Sequence, residues 1–258
     1  MRWISKPGQP PPSIRDYLAA QAEVGHGLNY KTFASTRAPG GGSRGGQLCR
    51  ELTAEQGGLC AYTGAGIDAR LGALNTSQPQ SILKFSAHNE HLKPQSMCKS
   101  EMEAAGKTYG VDVGEDMDHR NIVAALLVSG GERKVTKDFL FGASHRENDP
   151  VPIHPTDPLC EQTFIYDLSG GIQSATLGDQ AAVDTIAVLN LGHEILTGWR
   201  AQAVTAFIEG IENRSDAERI VAMITTPQNG WLPEYCFAIR QVVQQLLDLM
   251  PILPPETA

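Results

Sequence analysis

Apolar positions in the last third of the chain recur at helical spacing, and those in the middle do not. From Asp179 the run "DQAAVDTIAVLNLGHEILTGWRAQAVTAFIEGIE" predicts one long or two consecutive amphipathic helices, with His193 inside a helix. "SDAERIVAMI" follows with a capping box, Ser215 and Glu218. In "WLPEYCFAIRQVVQQLLDLM", Pro233 suits a first turn. Phe237, Ile239, Val242, Val243, Leu246, Leu247 and Met250 then form a face to be buried in a core or an interface. Residues 59–178 instead alternate short extended pieces with polar loops. Strands are predicted at 59–62, 83–87 and 121–128, the last containing the unbroken run "IVAALLV". A hairpin is predicted over 163–175, turning at 169–171. The segment 97–120 is polar and acidic, with a short helix expected near 98–106, and the prolines of "DPVPIHPTDP" exclude regular structure. Towards the front, "KPGQPPPS" reads as an extended arm, followed by a helix over 14–24 and a glycine-rich break at 38–46. A helix over 47–56, with Leu48, Leu52 and Ala54 inward, stops at Gly57–Gly58.

This pattern predicts an α+β chain in three parts: an N-terminal arm (1–46), a mixed central region (47–178) and a C-terminal helical region packed on it (179–258). At 258 residues there is length for a substantial core. No apolar run approaches membrane-spanning length, and "MRWISKPGQPPPS" lacks the apolar core of a secretion signal. Five cysteines without paired spacing suit a reducing compartment, so a cytoplasmic location is expected. A net charge of −8 changes the picture for nucleic acid: unaided binders carry a basic surface, so here it is local or supplied by a partner.

The candidate chemistry centres on "AHNEHLKPQS" (87–96), where Glu90 and His91 end an extended segment. A neutral imidazole can take a proton from an attacking water, and a carboxylate can hold a hard divalent cation. Neighbours on a strand face opposite ways, so the two act together only where the strand ends, as Leu-Lys-Pro requires here. Asn121 opens the next apolar strand, where its amide could bridge to the loop bearing His91. His145 in "ASHREND" sits on a short helical turn placed to bring a ligand beside Glu90. Strand, loop, strand, helix is the order of a ββα-metal finger.

The strings "EQGGLCAYTG", "HNEHLKPQS", "DHRNIVAALL" and "DPVPIHPTDPLCE" resemble the HNH endonucleases of bacterial anti-phage defence, in particular the nuclease subunits of Septu systems and related retron-associated effectors. "AVLNLGHEILTGWR" and "LPEYCFAIRQ" extend the likeness, over roughly residues 47–245. The resemblance implies a ββα-metal (HNH) finger embedded in a mostly helical chain. It also implies a divalent cation, Mg²⁺ or Mn²⁺, and an ABC-type ATPase partner. His91 would be the general base, Asn121 the central asparagine, and Glu90 and His145 the metal ligands, with Asn148 the alternative in that segment. His88, Lys93 and Asn148 would stand behind these groups or against substrate. Thr63 stands where a second cysteine would complete C-x-x-C, so no structural zinc is expected. The substrate is expected to be DNA; an RNA-directed nuclease, or an adaptor weakened in catalysis by the altered "ASHREND", is the alternative.

Elsewhere, the acidic run Asp112, Glu115, Asp116 and Asp118 with His119 reads as a solvated insertion. His26, His154 and His193 have no companions at ligand spacing. Lys84, Lys93, Lys99, Arg120 and Arg146 are candidates for phosphate contacts.

Overall fold

A computed structural model describes residues 1–67, 83–130 and 135–251. It is a mixed helix-and-sheet architecture. Two antiparallel strands, β1 (Lys84–His91) and β2 (Ile122–Ser129), pair with Phe85 opposite Val128 and His91 opposite Ile122. β2 is buried on both faces, as its unbroken apolar run requires. Among the described residues the pair is preceded by α1 (Pro12–Ala22), α2 (Tyr30–Ser35), which the sequence pattern did not predict, and α3 (Arg44–Glu55). α3 lays its buried Leu48 and Leu52 towards both strands.

The far edge of β2 has no strand against it among the described residues. Side chains meet its backbone instead. Gln56 Oε1 accepts from the Ala124 N–H at 2.7 Å, and its Nε2 donates to the Ala124 carbonyl at 2.8 Å. Cys60 Sγ lies 3.2 Å from the Leu126 N–H, and Ser144 Oγ accepts from Val128 at 2.7 Å. The strand expected at 59–62 is therefore a correction: that segment is a buried tight loop. Gly57, Gly58 and Gly64 all adopt positive φ (65°, 79° and 75°) and curl the chain, leaving only the Ala61 N–H to reach Ala124 at 3.1 Å.

After β1 comes α4 (Gln95–Ala104), starting directly behind Pro94 and so earlier than expected. The four-residue α5 (Ala143–Arg146) packs on β2. The hairpin β3 (Phe164–Tyr166) and β4 (Ile172–Ser174) forms where expected. Its turn docks so tightly on the next helices that a Cβ on Gly170, at φ +77°, would stand 2.1 Å from the Thr197 carbonyl oxygen. The C-terminal region comprises α6 (Gln180–Val188), α7 (Glu194–Ile208), α8 (Arg214–Thr225) and α9 (Cys236–Leu249). His193 is not inside a helix: it caps α7, its ring accepting from the Ile195 N–H.

Nor is the N-terminal segment a free arm. Met1, Ile4, Ile14 and Tyr17 belong to the same buried cluster as β2 and α9. Extended backbone lets Ile4 donate to the Pro155 carbonyl at 2.7 Å. Lys6 donates to the carbonyl of Ile122 at 2.6 Å and pairs with Glu55 at 2.7 Å. Apolar residues on either side of the prolines make the segment a strap. No helix among the described residues is long and apolar enough to cross a membrane.

Candidate functional site

β1 ends at His91, and Leu92, Lys93 and Pro94 turn the chain into α4. Alternation sends Asn89 and His91 to one face of β1 and His88 and Glu90 to the other.

On the first face, His91 is buried, 6% exposed. Its Nε2 lies 3.0 Å from the Asp116 carbonyl oxygen, which can only accept, so Nε2 carries the proton and Nδ1 the lone pair. The Gln95 amide nitrogen faces Nδ1 at 3.3 Å. The Tyr30 ring meets the imidazole edge-on at 4.4 Å between centroids. Burial is the main cause that holds the His91 pKa below the ordinary histidine value, although the Asp116 carbonyl opposes it. The ring is therefore kept neutral. Asn89 donates to the Tyr30 hydroxyl at 2.8 Å and the Gly45 carbonyl at 2.7 Å, and the Tyr30 pKa is pushed up to about 12 by burial.

On the second face, the Glu90 carboxylate is gripped at both oxygens. Oε2 lies 2.9 Å from His88 Nε2, and Oε1 lies 2.6 Å from Arg146 Nη1. Arg146 is fully buried. It also donates to the Tyr62 hydroxyl (2.7 Å) and to the carbonyls of His91 (2.8 Å), Leu92 (2.6 Å) and Asp149 (2.8 Å). One guanidinium thus ties the carboxylate on one face to the backbone of the corner.

Asn121 holds the corner from the other side. Its Oδ1 accepts from the Lys93 N–H at 2.7 Å, and its Nδ2 donates to the carbonyls of Lys93 and Glu115, both at 3.2 Å. Lys93 itself bonds Glu101, and Glu115 at 2.6 Å, and these carboxylates hold its pKa above the ordinary lysine value.

His145 is not brought to Glu90. Its Nδ1 lies 2.8 Å from the Val188 carbonyl on α6. The phase of α5 explains the correction. Gly142 (φ 62°) and Glu147 (φ 54°) break the helix at each end, and Gly142 N–H bonds the Leu189 carbonyl. At about 100° per residue this turns Ser144 to the β2 edge, His145 to α6 and Arg146 to Glu90. Arg146, read as a phosphate contact, is instead internal. Asn148 is exposed in the turn beyond.

The acidic insertion also divides. Asp116 is fully buried, its Oδ2 accepting from Tyr30 N–H and Tyr109 hydroxyl, each at 2.9 Å. Asp118 is bound by Arg120 at 2.6 Å and Asp112 accepts from the Thr108 N–H, so no joint cation site forms from these residues. Sequence reasoning missed Arg146 as a structural clamp, Asp116 as a buried anchor, and Tyr30 and Gln95 as walls of His91. Only the position of Arg146 within "ASHREND" hinted at its place.

For a divalent cation, the donor chemistry of the second face fits in part. A carboxylate oxygen and an imidazole nitrogen converge there, whereas His145 points away. Among the described residues no group of three or more His, Cys, Asp or Glu gathers as a metal site. No protein-family model matches this sequence, and no curated protein shows significant similarity to it.

Proposed function

We propose that the chain is a divalent-metal-dependent phosphodiesterase of the HNH type, cutting DNA in an anti-phage complex with an ABC-type ATPase. The observation that carries this reading is His91. Its imidazole sits at a strand end, neutral and with its tautomer fixed by the Asp116 carbonyl, and the residue before it, on the other face, is a carboxylate already oriented by a buried guanidinium. In this reading, Nδ1 takes the proton of a water attacking phosphorus, with Gln95 moving aside. Asn121 and Arg146 keep the corner rigid, so that only the Gln95 side chain has to move to free the lone pair. Glu90 would hold the cation, which when bound supplies charge neutralisation at the phosphate and the departing oxygen. The net charge of −8 supports a partner that supplies the basic surface.

One observation favours a second reading, an adaptor of the same fold with weakened catalysis. Both Glu90 oxygens are engaged within the protein, and His91 is nearly covered. Plasmid and RNA cleavage with Mg²⁺ or EDTA, by wild type and His91→Ala, alone and with the ATPase, decides between them. The expected result is Mg²⁺-dependent cutting of DNA that falls by at least ~10²-fold in His91→Ala. Folded protein that binds the ATPase yet cuts neither substrate would favour the adaptor, and preferential RNA cutting would redirect the substrate.

A further inference from the structure

We propose that His88, and not His145, is the imidazole that shares a divalent cation with Glu90, bound through His88 Nε2 and Glu90 Oε2. Water and, in the phosphodiesterase reading, a substrate phosphate oxygen would fill its other positions. The substrate oxygen rests on that reading; the protein's own two donors do not.

Spacing supports the pair. His88 and Glu90 are two residues apart on one strand and so share a face. Their donor atoms are 2.9 Å apart. Two ligands about 2.1 Å from one octahedral cation and at right angles to each other lie about 3.0 Å apart, so a cation can replace the present hydrogen bond with little movement. Exposure points the same way. The side chains of His88 and Glu90 are 26% and 13% exposed, whereas that of Arg146 is 1% exposed. The solvent-facing part of the cluster is therefore the His88–Glu90 edge. Arg146 occupies Oε1 and leaves Oε2 as the oxygen turned towards the imidazole.

Chemistry also limits the site. Metal on Nε2 moves the His88 proton to Nδ1, which is buried without a hydrogen-bond partner. The Arg146 guanidinium lies close enough to repel an incoming cation. The site is therefore weak, filled by the metal alone only towards the upper end of a titration, and a phosphate oxygen would tighten it. Hard cations that keep several waters suit such a two-donor edge.

Mn²⁺ titration of the full chain, followed by water-proton relaxation from micromolar to millimolar metal, tests the assignment without a cleavage readout. Wild type and His145→Gln are expected to show the same saturable binding. His88→Ala should weaken it at least ~10-fold, the scale of lost metal-site support. Glu90→Gln should abolish it, and thermal melts will show whether that variant still folds; His88→Ala, at a part-exposed position, carries the decision. Wild-type affinity in His88→Ala, loss confined to His145→Gln, or no saturable binding in wild type overturns the proposal. Mg²⁺- and His91-dependent cutting with Mn²⁺ binding indifferent to His88 would overturn it while leaving the phosphodiesterase standing. A His88-dependent Mn²⁺ site in a chain that cuts no nucleic acid would support it while the phosphodiesterase reading fell.

Discussion

At the scale of single residues, Arg146, which the sequence offered only as a phosphate contact, is a buried clamp on the corner. It neutralises a carboxylate only 13% exposed and caps three carbonyls, so Arg146→Ala strands a buried negative charge. We predict a loss of about 3–5 kcal/mol by urea denaturation, partly recovered when Glu90→Gln is added. A loss below about 1 kcal/mol, the surface-pair range, would show that Glu90 is well solvated. Asn121→Ala removes the acceptor of the Lys93 N–H and should cost about 1–3 kcal/mol, with faster hydrogen exchange at Lys93 and its neighbours. Unchanged exchange there would mean the corner is held without Asn121. Glu90, His91 and Asn121 could be picked out from the sequence because their spacing fixes a strand end and the start of its partner. His145 and Arg146 could not be told apart. A helix of four residues has no apolar periodicity to set its phase, which depends on two left-handed residues and on contacts with α6.

At the scale of elements, periodic segments were legible and termini were not. β2, the hairpin of β3 and β4, and the C-terminal helices follow their hydrophobic patterns. Where glycines or caps decide, the pattern misleads: Gly57, Gly58 and Gly64 turn an apolar stretch into a loop. α8 offers a direct measurement of this. Its N-cap is Asn213, whose side chain accepts from the Asp216 N–H at 3.1 Å, rather than Ser215 of the expected capping box. Asn213→Ala should therefore destabilise by about 1 kcal/mol. Ser215→Ala, now inside the helix, should stay within about 0.5 kcal/mol. The reverse order in thermal denaturation would restore the capping box.

At the scale of the whole molecule, one buried cluster runs from Met1 through β2 to Leu247, so the strap, the strands and the helices share a core. Long-range pairing of this kind is poorly legible because no local pattern announces it. Its pH response can be predicted. Burial is the largest cause holding the pKa values of His154 and His193 below the usual 6.5, and Arg146 adds to it at His154. The unfolded chain takes up protons first, so their contribution is complete above about pH 6.5 and declines as the pH falls through that value. Falling net charge pushes the opposite way, so the informative quantity is the difference between wild type and His154→Asn. The drop in Tm from pH 7.5 to 5.5 should be smaller in the variant; an equal or larger drop would mean that His154 is not held neutral. The fittings along β2 carry a different consequence. A strand with open N–H and C=O groups is a template on which another chain can add. Gln56, Cys60 and Ser144 occupy that template, so substitutions such as Gln56→Leu should show themselves first as aggregation during expression.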